Sequence, residues 1–228
     1  MTTNRLLELL PEAERDALRP ERMTVTHAYP LIVPSEPIKY VYFPINALGS
    51  LVTILEDGST IESGSVGREG MVGVPVILGA DTTPMQTVVQ IPGDVWRVES
   101  EAVKRELAKQ RTLHGLLNRY VHTIFVVASQ STACIRRHTV EARLARWLLM
   151  SSDGVDSHEL PLTQEFLGTM LGVRRAGVTE AAAKLQGEEL IRYSRGFVEI
   201  VDRPGLEAAT CECYHNIRRE YERLLGPM

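Results

Sequence analysis

The chain has 228 residues, 44% apolar and 24% charged, with a formal net charge of −4; these are proportions of a globular protein with room for two modest domains. Three cysteines, none before Cys134, argue against a disulfide framework and for a reducing compartment. The absence of a long apolar run argues against a membrane-spanning helix, and the slightly acidic balance against a strongly basic nucleic-acid binder.

The first twenty or so positions carry early acids and no small-residue cleavage site, so they do not read as a secretory signal, and a cytoplasmic location is expected. Residues 5–21 predict one or two short amphipathic helices with Leu6, Leu7, Leu10, Ala13 and Leu18 on one stripe. From Met23 to Val98 the character changes: eight of the 17 glycines and seven of the 12 prolines fall here. They separate short β-branched or alternating segments (TVTHAYPLIV, YVYFPI, LGSLVTIL, STIESGSV, QTVVQI, DVWRVE), with breakers at Glu56-Asp57-Gly58 and Pro92-Gly93-Asp94. Strands at this spacing predict an antiparallel sandwich or barrel.

After Glu99 the period becomes helical. Val103, Leu107, Leu113, Leu117, Tyr120, Ile124, Ala128, Ser131 and Ile135 recur at three- and four-residue steps, and charge disappears after Arg119. A long helix that becomes apolar around its circumference needs cover, and a second copy of itself is the simplest. Leu113, Leu117, Tyr120, Ile124 and Ala128 are the interface candidates. Arg136-Arg137-His138-Thr139 interrupts as a hinge, VEARLARWLLM (140–150) resumes as a helix, and Ser151 to His158 reads as a polar loop.

The 23 residues from Thr163 to Leu185, TQEFLGTMLGVRRAGVTEAAAKL, are the most informative stretch. Phe166, Leu167, Met170 and Leu171 form one apolar face. Gly172 supplies a left-handed turn, and Val173, Val178, Ala182 and Leu185 continue the face on a second helix. Gly168 and Ala181 are small where the two helices would cross. This is a helix-turn-helix pattern, whose second helix enters the DNA major groove. Arg174 and Arg175 open that helix, where cations oppose the helix dipole, so phosphate or base contact is the better reason for them. LIRY and FVEIV around Ser194-Arg195-Gly196 predict a hairpin wing, and the tail from Leu206 to Leu225 reads as helical.

This order of elements resembles the Crp/Fnr superfamily of bacterial transcription factors. The likeness is most specific in LTQEFLGTMLGVRR (162–175), VEARLARWLL and LQGEELIRYSRGFVEIVD. It implies an α+β fold: an N-terminal antiparallel, jelly-roll-like β-roll over residues 1–99, a central dimerisation helix and hinge over 100–138, and a winged helix-turn-helix over 139–228. It implies a homodimer on palindromic double-stranded DNA, RNA polymerase as a partner, and a small-molecule effector on the roll. Thr163 would contact phosphate and Arg175 a guanine. Gln164, Arg174, Ala176, Thr179, Glu180, Lys184, Ser194 and Arg195 complete the candidate DNA surface. Ala176 and Glu180 stand where cyclic-AMP-binding relatives place a recognition glutamate and an arginine, so a different operator is implied.

The corresponding effector region reads Gly67-Arg68-Glu69-Gly70-Met71-Val72-Gly73, then Thr82 to Thr87, giving Glu69, Gly70, Met71 and Met85 as pocket candidates. No arginine stands where a cyclic phosphate needs one, so cyclic AMP is not expected. The lack of early cysteines speaks equally against an iron–sulfur cluster. Cys211-x-Cys213 with His215 lacks a second ligand cluster, and Cys134 reads as core packing, so no metal is expected. His114 and His122, eight residues apart, read as interface histidines rather than haem ligands, and Trp96 and Trp147 as core. No arrangement of nucleophile, base or paired carboxylates suggests an enzyme. The alternative is an effector-binding or protein-interaction module whose helix-turn-helix does not read DNA.

Overall fold

The computed structural model describes residues 4–194 and 196–226. The N-terminal helices α1 (Arg5–Glu8) and α2 (Glu12–Ala17) are short. Asn4 caps α1, accepting from the Leu6 and Leu7 amides, while its own amide donates to Pro44 O and Gly70 O and pins the chain start to the sheets. On α2, Ala13 faces solvent, and Glu14 is the residue turned inward. Its carboxylate accepts from the backbone amides of Thr112 and Leu113 at 3.3 and 2.9 Å, capping the long helix from outside.

Seven strands follow: β1 (Glu21–Val25), β2 (Pro30–Ile32), β3 (Tyr40–Pro44), β4 (Leu48–Ile54), β5 (Thr60–Val66), β6 (Gln86–Ile91) and β7 (Gly93–Glu99), with helix α3 (Val74–Ile77) before β6. They form two antiparallel sheets, ordered β1-β7-β3 and β2-β6-β4-β5. At the β4–β5 turn Gly58 takes φ +80, where a side chain would be strained, and the Asp57 carboxylate holds the Ser59 amide.

The long helix expected after Glu99 is two. Helix α4 (Ser100–Ala108) ends in a reversal at Gln110 (φ +50), and α5 (Thr112–Arg137, 26 residues) starts afresh. His138 ends α5 in an extended conformation, and the Thr139 hydroxyl caps α6 (Val140–Val155). Of the polar loop expected from Ser151 to His158, Ser151 to Val155 instead form the last turn of α6, and the loop is only 156–158. Gly154 is where α6 meets the roll without room for side chains: a Cβ on Gly67 would stand 2.3 Å from the Gly154 Cα. Beyond β8 (Glu159–Leu160) come α7 (Gln164–Leu171), α8 (Arg175–Gly187), β9 (Ile191–Ser194) and β10 (Phe197–Ile200). The hairpin gains a third strand, in the order β8-β10-β9.

The helical tail is built of two helices, α9 (Arg203–Ala209) and α10 (Glu212–Leu225). Helix α10 leaves the winged unit and lies along α5. Its Ile217, Tyr221 and Leu225 join the core that contains Leu6, Leu7, Val41, Phe43, Leu113 and Tyr120. Arg119 Nε donates to Leu224 O at 3.0 Å, and His122 Nε2 meets the Glu220 carboxylate at 3.0 Å. Within the expected 139–228 unit, Ile217, Tyr221 and Leu225 of α10 thus pack with the roll. A second core of Leu144, Trp147, Leu148, Leu167, Val178, Leu185 and Val198 fills the winged unit and takes in Leu48 and Ile91 of the roll.

Candidate nucleic-acid interface

The Thr163 hydroxyl accepts from the Phe166 amide at 3.2 Å and caps α7, and Gly172 (φ 62) ends it in the left-handed region. The chain then doubles back closely: a Cβ on Gly168 would stand 3.0 Å from Val173 O. Arg174 is the N-cap of α8 and Arg175 its first residue. Val178, Ala181, Ala182 and Leu185 are buried, which leaves Arg174, Arg175, Ala176, Thr179, Glu180, Ala183 and Lys184 on the solvent side. Among the described residues neither Arg174 nor Arg175 pairs with a carboxylate. Gln164 Oε1 accepts from the Thr179 hydroxyl at 2.9 Å, fixing the two helices to each other.

The wing is held by Tyr193, whose hydroxyl donates to Leu162 O at 2.9 Å and whose amide donates to Gln186 Oε1 at 2.8 Å. Ser194 is exposed ahead of Gly196 (φ +85), and Arg195 lies outside the described residues. Phe197 on the wing is 56% exposed, an apolar surface that strand periodicity alone did not single out.

The winged unit rests on the roll. Buried Glu62 of β5 accepts from Trp147 Nε1 at 2.8 Å and from the Ser50 hydroxyl, and burial raises its pKa despite both bonds. The Phe166 ring packs edge-on to Trp147, with centroids 5.9 Å apart. The Arg68 amide donates to Gly154 O at 2.8 Å, and Arg68 also pairs with Asp156. An open cleft of about 650 Å³ runs between the β4–β5 hairpin (Gly58 to Ile61) and the turn bearing Gly172, Arg174 and Arg175.

The four effector candidates do not share a cavity. Gly70 is sealed by Tyr120, whose hydroxyl oxygen would stand 2.4 Å from a Cβ there and donates to Met71 O at 2.9 Å. Met71 is core, and Met85 stands apart at the foot of β6. Glu69 accepts from the Gly67 amide at 2.8 Å and lines a cavity of about 30 Å³ with Asp153, Tyr214 and Tyr221, enough for one or two waters. Burial pushes its carboxyl up to about 7.

The interface candidates fall on two faces of α5. Leu113, Leu117 and Tyr120 are fully buried against the chain's own roll, and Ile124 packs on the same core. Ala128 does face solvent, in line with Phe125 (69% exposed), Thr132 and Ile135. These positions recur at three- and four-residue steps on the open face of α5. His122 is engaged with Glu220 rather than with that face.

His215 points outward against the Tyr214 ring. The cysteines Cys211 and Cys213 meet Cys134 and His138 instead, with all four donor atoms within 4.8 Å of one another. Spacing along the chain could not show this, because the partners lie 73 or more positions away.

The described residues thus form a β-roll joined by a long helix to a winged helix-turn-helix, with two arginines opening the second helix. Residues 142–209 match the Crp-like helix-turn-helix domain. The fold is shared with a protein from Eubacterium rectale assigned to the Crp/Fnr family of transcriptional regulators (18% identity, 91% of this chain and 98% of that one, TM-score 0.68). It is shared also with FixK2 of Bradyrhizobium japonicum (14% identity, 84% and 98%, TM-score 0.68). A third neighbour is the c-di-GMP-responsive global regulator CLP of Xanthomonas campestris (16% identity, 82% and 97%, TM-score 0.60). No curated protein sequence matches the chain. Among the described residues no helix is long and apolar enough to cross a membrane.

Proposed function

We propose that this chain is a homodimeric, sequence-specific DNA-binding transcription regulator of the Crp/Fnr type. The observation that carries the reading is the exposed face of α8, where Arg174 and Arg175 stand free of carboxylates at the end that meets base edges. Thr163 and Lys184 flank that face as phosphate contacts. Glu180 offers a carboxylate to a cytosine amine, and Ala176 an apolar contact. Because the module carries little net positive charge, two reading heads are needed for useful affinity. The stripe of Phe125, Ala128, Thr132 and Ile135 on α5 is where a second copy packs, because it is an exposed helix face that nothing among the described residues covers.

The closing of the Gly67–Gly70 loop by Tyr120 and Gly154 favours a roll that serves chiefly as a scaffold. Regulation then acts on how the winged unit sits against β5, through the Glu62–Trp147 bond and the hinge at His138. Half-sites about 34 Å apart on DNA are expected of such a dimer. Selecting bound sequences from a random duplex library tests the whole reading. A recovered palindrome with that spacing supports it, and recovery of no enriched sequence overturns it.

A further inference from the structure

The end of the dimerisation helix carries a group of side chains that DNA reading does not use. Cys134 sits in the last turns of α5, and His138 is its C-cap. Cys211 is the N-cap of α10, and Cys213 lies in its first turn. Cys134 Sγ and Cys211 Sγ are 3.5 Å apart, and Cys213 Sγ is 3.7 Å from His138 Nδ1. We propose that Cys134, His138, Cys211 and Cys213 form a mononuclear zinc site that ties the hinge to the C-terminal helix.

Four independent features support it. The first is size: a tetrahedral ion with sulfur at about 2.3 Å needs sulfur–sulfur edges of about 3.8 Å, and all four donors lie within 4.8 Å of one another. That is room for one ion and too little for a multi-iron cluster. The second is histidine orientation. His138 Nε2 meets the Glu212 carboxylate at 3.1 Å, leaving Nδ1 for the metal and fixing the tautomer a ligand needs.

The third is charge. Three thiolates and a neutral imidazole around a divalent cation leave one net negative charge, which must be answered in a buried place. Arg143 and Arg146 of α6 are buried beside the cysteines, and Arg146 Nε has no hydrogen-bond partner. Arg146 lies within electrostatic reach of Cys134 and Cys213, and Arg143 within reach of Cys134 and Cys211. The fourth is closure: all three cysteines are buried and His138 is mostly covered, so no coordination position is left for a substrate. A closed set of four sulfur and nitrogen donors is the pattern of structural zinc.

The ion would fasten the point where α5 ends and α6 begins. Thr210, just before Cys211, already donates to Ala142 O there. The test uses the full chain purified under reducing conditions. Elemental analysis should find about one zinc per chain, kept in His215→Ala and lost in Cys211→Ser and His138→Gln. Cobalt loading of the unmodified chain should give intense tetrahedral ligand-field bands with thiolate charge transfer, a readout that does not depend on how the variants fold. A folded, zinc-exposed chain that retains less than about a tenth of an equivalent, or a cobalt spectrum without thiolate bands, overturns the site. So does a Cys134–Cys211 disulfide trapped by alkylating the cells at lysis, before any reductant is added, which would make the pair a redox couple.

Discussion

Arg175 has helical backbone at the first position of α8, so its guanidinium is aimed along the helix toward whatever meets that end. If it reads a guanine edge, Arg175→Ala should weaken binding to the selected operator by about 1–3 kcal/mol while leaving random DNA almost unchanged. Equal weakening on both in a competition titration would reduce it to a phosphate contact. Glu69 offers a second test at this scale. Its carboxyl, raised to about 7 by burial, faces Asp153 from α6 and its neighbour Arg68. From about pH 4.5 to 7 the folded chain keeps a proton that the unfolded chain has released, so stability is greatest at the acid end and falls as pH rises through this window. The contribution is at most about 3 kcal/mol, and buried Glu62, raised in the same direction, adds to it. Glu69→Gln should flatten the decline of Tm across that window. An unchanged slope would mean that other groups set it.

At the scale of elements, the periodicity of α5 was legible but its phase was ambiguous. Leu113, Leu117 and Tyr120 follow the same three-and-four rule as Phe125, Ala128 and Ile135. Nothing local distinguishes a face turned to the chain's own roll from one left for a second copy. Only the position of α10 and the strands decides it. Phe125→Glu should therefore halve the mass measured by light scattering without lowering the monomer's helical content, whereas Leu117→Glu should unfold the chain. A dimer that survives Phe125→Glu would place the interface elsewhere. The helix-turn-helix, by contrast, was readable to the residue, because its caps are local: Thr163 bonds three residues on and Gly172 needs only its own φ. Asp153-Gly154 misled because a glycine can mark close approach as well as a turn. Its reason, Gly67, is distant in sequence. Gly67→Ala should cost about 1–3 kcal/mol by forcing α6 off the roll, and denaturant unfolding would show it.

For the whole molecule, the placement of α10 changes what counts as a domain. The chain leaves the roll at Arg137, builds the winged unit, and returns at Glu212 to cover the roll's core with Ile217, Tyr221 and Leu225. With Leu48 and Ile91 reaching the other way into the winged core, the two units share apolar surface in both directions. They should unfold together rather than in sequence. Ile217→Asp is the sharpest probe, because it places an unpaired carboxylate against the roll while touching neither α8 nor the wing. Its cost should be about 3–5 kcal/mol, a large part of a domain's whole stability. Trp96 reports from the roll and Trp147 from the winged unit. With either tryptophan replaced by Phe in turn, both fluorescence transitions should shift down together in the Ile217→Asp background. A lowered transition at Trp96 beside an unmoved one at Trp147 would show two independent domains. The winged unit's position against β5 would then be free to change without disturbing the roll.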